Sequence, residues 1–195
     1  MKKFLSLFLI LYLVCAFAIP HTAQAHPHVF IDSSLRLNFS KTTLESIDVV
    51  WTFDDMSSDM FLIDLDTNGD GTLTQKEWEE QRQEIEEYLA EQSFFVHVML
   101  DGKLVDLRKL ENFVAVFENR TLKYKMTIPM NIAGSDSPQK MQIAIFDPTY
   151  YTDFYTAIEA VTVEGKKDLK LSIDDAPELA FYQGQIIPTA VTFEF

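Results

Sequence analysis

Phe94-Phe95-Val96-His97-Val98-Met99-Leu100 is a run of strand formers, and Asp101-Gly102 behind it is a two-residue hairpin signal. From here the strand signature does not leave the chain. Val114–Phe117, Leu122–Ile128, Met141–Phe146, Ile158–Val163, Leu169–Ile173 and Ile186–Phe195 continue it. Turn chemistry separates them at Glu118-Asn119, Gly134-Ser135-Asp136, Gly165 and Asp174-Asp175-Ala176-Pro177. Short strands at regular spacing predict a mainly β fold, an antiparallel β-sandwich of immunoglobulin-like type.

Upstream, Val29, Ile31, Leu35, Leu37 and Phe39 alternate as one long strand or as two short ones, with a break near Ser33-Ser34. Ile47–Phe53 is β again. The period then changes. Met56, Met60, Phe61, Leu62 and Leu65 suit a short helix over Asp55–Leu65. Thr74–Gln92, rich in Glu, Gln and Ala, suits a second helix with Trp78, Ile85, Tyr88 and Leu89 as its apolar positions. The helical pair, at about residues 55–92, is thus an insertion into a single β domain spanning residues 26–195.

Between the helices lies Asp66-Thr67-Asn68-Gly69-Asp70-Gly71-Thr72-Leu73-Thr74-Gln75-Lys76-Glu77, which meets every constrained position of an EF-hand calcium loop. Asp66, Asn68 and Asp70 offer side-chain oxygens at positions 1, 3 and 5, and Gly71 permits the sharp turn. Thr72 offers its carbonyl, Thr74 can hold a water, and Glu77 closes the set with a bidentate carboxylate. A register starting at Asp64 fails, because Gln75 would replace that acid. All-oxygen ligation favours Ca2+ over a transition metal. One isolated loop suits a structural role better than signalling.

The N-terminus reads as an export signal. Lys2 and Lys3 precede an apolar run over residues 4–19, and Ala23-Gln24-Ala25 has the small-x-small pattern of a cleavage site. The run is shorter than the roughly 20 residues of a spanning helix. Cleavage after Ala25 is therefore expected, with no stable membrane insertion afterwards. Cys15, the single cysteine, leaves with the signal, which excludes disulfides and thiol chemistry from residues 26–195. The net charge of −14 argues against nucleic acid and against anionic membrane surfaces.

Cleavage there would expose His26-Pro27-His28. The terminal amine and the His26 imidazole can chelate one metal, and strand alternation puts His28 on the same side. Pro27 lacks an amide proton, so the square-planar amide chelate is blocked, leaving amine and imidazole ligands for zinc, copper or nickel. His97 is either a third ligand or an ordinary strand histidine. The aromatic-rich segment Phe146–Tyr155 reads as a strand end whose rings cap the core, with a stacking platform as the alternative. No nucleophile elbow, phosphate-cradling glycine loop or zinc-protease helix is present, so catalysis is not expected.

Four stretches occur in order: Ala25-His26-Pro27-His28-Val29-Phe30-Ile31-Asp32, Trp51-Thr52-Phe53-Asp54, Asp64 to Gly71, and Phe146-Asp147-Pro148-Thr149-Tyr150-Tyr151. Together they resemble a bacterial family of unknown function catalogued as the periplasmic component of an uncharacterised ABC-type transport system. Members are often encoded beside, or fused to, nickel/cobalt- or zinc-type transporters. The resemblance implies a periplasmic location, an inner-membrane metal transporter as partner, and His26 and His28 as ligand candidates. The expected function is transition-metal handling by a calcium-stabilised accessory protein. The alternative is an interaction module that docks on the transporter without binding a transition metal.

Overall fold

The computed structural model describes residues 27–195, so the export signal and His26 lie outside the described residues. The strand elements are β1 (Val29–Ser40), β2 (Thr43–Phe53), β3 (Val96–Leu100), β4 (Lys103–Leu104), β5 (Glu111–Glu118), β6 (Thr121–Ile132), β7 (Lys140–Ile145), β8 (Thr152–Tyr155), β9 (Val161–Glu164), β10 (Ser172–Asp175) and β11 (Thr189–Glu194). Two helices, α1 (Asp55–Leu65) and α2 (Gln75–Glu91), interrupt them between β2 and β3.

The strands form two sheets. The first runs β5-β6-β2-β1-β8, with β9 also on β1; the second runs β10-β11-β7-β3-β4. Their facing sides meet in one core, where Leu35, Leu37, Ile47 and Val49 of the first sheet join Val98, Met141, Ile143 and Phe193 of the second. The fold is mainly β, as expected, and its two sheets pack as a sandwich does. It is not purely antiparallel. β8 and β9 both lie parallel to β1, pairing with Val29–Asp32 and Leu35–Asn38 respectively. Two short segments far along the chain share one edge of β1, and no local hairpin signal encodes such a pairing.

Several boundaries differ from the sequence reading. Ser33-Ser34 does not break β1: burial alternates through all of Val29–Ser40, and Ser33 sits on the core side opposite Trp51. A small residue there makes room for an indole on the neighbouring strand. β3 begins at Val96 rather than Phe94, because Ser93, Phe94 and Phe95 all take left-handed backbone angles, φ 52°, 56° and 50°. That turn drives both phenylalanines into the core as α2 hands the chain to the second sheet. Ile158–Ala160 is a 3-10 turn preceding β9, and β10 starts at Ser172.

The helical pair covers the part of the first sheet's buried face that the second sheet leaves. Phe53 meets Phe61 of α1 at 5.3 Å between ring centroids. Trp78 of α2 is 0% exposed, wedged edge-on against Phe113 at 5.0 Å and tilted against Tyr124 at 5.6 Å. Its Nε1 donates to the Phe113 carbonyl at 3.4 Å. Ser58 fastens α1 to β6 by accepting from the Leu122 amide at 2.9 Å while donating to the Phe53 carbonyl. Among the described residues no helix is long and apolar enough to cross a membrane.

Trp78→Ala is expected to lower unfolding free energy by about 3–5 kcal/mol, through lost burial and the cavity left behind. Urea unfolding with circular dichroism checks this, and Trp78→Phe should cost markedly less.

Candidate functional site: the loop between the helices and the histidine-bearing edge

The loop begins where α1 ends. Asp66 is the helix C-cap residue, its amide donating to the Leu62 carbonyl, and its side chain turns back over the following residues. Asp66 Oδ1 accepts from the Gly69 and Asp70 amides at 2.8 and 3.2 Å, and Oδ2 from the Gly71 amide at 2.7 Å. Gly69 and Gly71 hold φ +72° and +81°, conformations that cost an L side chain. Asp70 Oδ1 accepts from the Thr72 amide and hydroxyl at 2.9 and 2.6 Å, and those bonds lower its pKa.

The far end is closed by Glu77, only 4% exposed. Its Oε1 accepts from Asn68 Nδ2 at 2.9 Å, the Asn68 amide at 3.2 Å and Thr67 Oγ1 at 3.3 Å. Its Oε2 accepts from the Thr74 amide and hydroxyl, completing a capping box at the start of α2. The donors from Thr74, ahead of those from Asn68 and Thr67, hold the Glu77 carboxyl at a pKa of about 2. Gln81 Nε2 donates to the Leu65 carbonyl at 3.0 Å, tying α2 to the end of α1 beside the loop.

Asn68 and Glu77, nine residues apart, are thus in direct contact, and Asp66 sits at the loop's entrance. Thr72, whose carbonyl the motif assigns to an ion, lies on the outer turn with Asp70. The carboxylates point at the loop's own amides. Among the described residues no group of three or more histidine, cysteine, aspartate or glutamate side chains is gathered at metal-binding spacing. The donors keep the types and order of the calcium motif, and the loop's own amides supply the positive partners of the acids.

The histidines are divided between two places. His28 stands just before β1, its amide donating to the Tyr151 carbonyl at 2.8 Å and its ring 5.1 Å from the Tyr151 ring. His97 lies on β3 in the second sheet, stacked on Phe146 at 3.8 Å and 15°. Its Nε2 is buried without a partner among the described residues, and burial pushes its pKa down, against a backbone hydrogen bond with Phe146. Different rings therefore hold His28 and His97, yet both belong to one segment, Phe146–Tyr151. Asp147 lies between those contacts, and sequence reasoning could not place it. It is 4% exposed, and it accepts from the Thr149 amide and hydroxyl and from the Thr152 amide at 2.8, 2.7 and 3.0 Å.

The aromatic segment itself divides. Phe146 is buried, stacked between His97 and Phe181, and Phe154 packs on Trp51 at 5.1 Å, as expected of core-capping rings. Tyr151 and Tyr155 are exposed.

Comparison with known proteins identifies the family. The sequence family described as "Protein of unknown function (DUF1007)" matches residues 11–180, and the chain belongs to it. An "Uncharacterized 15.5 kDa protein in trpE 3'region" of Spirochaeta aurantia is 26% identical over 134 residues, covering 66% of this chain and 93% of that protein. No solved structure matches.

The hydrogen bonds on Glu77 predict an acid response. Because its folded pKa lies below the ordinary 4.5, its stabilising contribution is complete above pH 4.5 and is lost as the pH falls toward about 2. With a chelator present, Glu77→Gln should lower the urea midpoint at neutral pH, and the gap to the parent protein should close across that window.

Proposed function

We propose that this protein is an exported accessory component of a transition-metal transport system, acting in the periplasm beside an inner-membrane transporter and stabilised by calcium in the 66–77 loop. The contact between Asn68 and Glu77 carries the calcium reading: it brings position 3 of the loop to position 12 and leaves the oxygen donors in EF-hand order. In this reading α1, loop and α2 are an EF-hand-type insertion in an immunoglobulin-like sandwich. Asp66, Asn68 and Asp70 bind through side chains, Thr72 through its carbonyl and Glu77 through both oxygens. The ion would supply the positive charge that lets these acids share one centre. Single extracellular loops bind calcium with dissociation constants of ~10⁻⁴–10⁻³ M, which suits a structural role.

The cargo half of the proposal rests on the amino-terminal edge. His26, through amine and imidazole, and His28 would take zinc, nickel, cobalt or copper. Support comes from His28's seat on Tyr151, in the segment that also carries Asp147 and meets His97 through Phe146. An acid there, or His97, would complete the ligand set.

A second reading, an interaction module without transition-metal chemistry, is favoured by one observation. Met56, Met60 and Ile63 of α1 are 67%, 42% and 78% exposed, and their spacing places them on one side of the helix. The transporter would then be the partner that covers them.

Calcium at about a hundred times its dissociation constant should stabilise the protein by about 2.7 kcal/mol, raising the melting temperature by about 5–10 °C. Asp70→Ala and Glu77→Gln should abolish that shift; a shift that survives both variants removes the loop from consideration. For the cargo, zinc, nickel, cobalt and copper titrated into calcium-loaded protein beginning at His26 should reveal sub-micromolar affinity for one ion. His26→Ala with His28→Ala should remove that affinity without unfolding the protein. Affinity no better than that of a generic acidic protein favours the interaction module.

A further inference from the structure

Between the helical pair and the first sheet lies a cavity of about 690 Å³. Its floor is aromatic: Trp51, Phe53, Phe95, Tyr124 and Phe154. Phe61, Asp64 and Leu65 of α1 form one wall, and Gln81, Glu84, Ile85 and Tyr88 of α2 form the other. Asp147, Thr149 and Tyr151 close the side nearest the amino terminus. The volume lies within the ~300–1,000 Å³ of small-molecule sites.

The lining contains three carboxylates and no lysine, arginine or histidine. Asp64 and Glu84 are exposed at the edges, whereas Asp147 is buried. Asp147 is used only as a hydrogen-bond acceptor, and no ion pair among the described residues involves it. A buried carboxyl group without a basic partner thus lies beside an apolar chamber. Trp51, 2% exposed, contributes its ring to the lining; its Nε1 is buried and has no hydrogen-bond partner among the described residues. Aromatic faces attract cations, and more strongly in a desolvated site than in water.

We propose that this cavity binds an apolar organic cation, a quaternary or protonated amine on an alkyl or aryl body. Its charge is met by the aromatic faces and by Asp147, Asp64 and Glu84; its body fills the space between Ile85 and Trp51. Anions of the same shape are rejected, because they would bring a like charge to a site with no basic group. None of the loop's calcium-donor residues lines the cavity, so this site stands apart from the calcium reading, although it shares Asp147 and Tyr151 with the edge that carries His28.

The test is calorimetric titration, with calcium present, of three probes with the same decyl chain below their micellar concentrations: decyltrimethylammonium, decyl sulfate and decyl maltoside. The cation should bind about tenfold more tightly than either of the others. Asp64→Asn with Glu84→Gln, both at exposed positions, should weaken the cation by about threefold and leave the neutral probe unchanged. Ile85→Trp, which fills the cavity from the helix side, should abolish binding while circular dichroism stays that of the parent. Equal affinity for the three probes overturns the proposal, as does an absence of binding or binding that survives Ile85→Trp. None of these variants replaces a calcium-donor residue, and calcium binding is read separately from the melting shift, so loss of one reading does not take the other with it.

Discussion

Everything in the helical half of this molecule depends on two consecutive residues doing opposite jobs. Glu77 turns a buried carboxylate toward the loop, and Trp78 turns a fully buried indole toward Phe113 and Tyr124. Adjacent positions on a helix point about 100° apart, so one turn of α2 faces both the loop and the core. The carboxylate is held by Asn68 and Thr74, and the neighbouring indole by Phe113 and Tyr124. Charge at the loop and packing in the core are coupled by one backbone step.

Much of this was legible in residue patterns because it is local. Asp55–Leu65 matches α1 residue for residue. Asp54 caps it by accepting from the Ser57 amide, and it ends at Asp66, whose backbone leaves the helical region. The Thr74 and Glu77 capping box sets the start of α2, and Asp101-Gly102 makes its hairpin with φ 48° and 75°. What was hidden is non-local. The pairing of β1 with β8 and β9 joins residues more than a hundred positions apart; the strand over Ile158–Val163 was legible, with its start three residues early, but its parallel partner was not. The left-handed turn at Ser93–Phe95 was hidden for another reason: phenylalanine at positive φ runs against its own propensity and is sustained by the core that receives both rings.

The candidate sites divide along the same line. The order of donors in the 66–77 loop is a sequence property, and so is the His26-Pro27-His28 run. Which acid stands near the amino-terminal edge is not, since Asp147 reaches it only through β8 lying beside β1. That parallel pairing brings Tyr151 to His28 and makes Asp147 one wall of the cavity. The same pairing leaves His97 on the other side of Phe146, stacked, buried and biased toward its neutral form. A neutral imidazole is the form that can ligate a metal, but here burial rather than a metal is sufficient to explain it.

The loop and the cavity share their walls without sharing residues. Leu65 lines the cavity and Asp66 opens the loop; Glu77 closes the loop, and Gln81, one turn later, both lines the cavity and holds the Leu65 carbonyl. Any force that changes the separation of α1 and α2 at the loop is therefore transmitted to the cavity's width through one hydrogen bond and two helix ends. Trp78 resists that change, because its socket on Phe113 and Tyr124 fixes α2 to the first sheet. α1 is fastened near its start by Ser58 and farther along by Phe61 on Phe53. The end of α1 that carries Phe61, Asp64 and Leu65 is held between the sheet, through Phe61 on Phe53, and the loop that Asp66 opens. An ion in the loop would act there first, on the wall of the cavity that carries an acid at its rim.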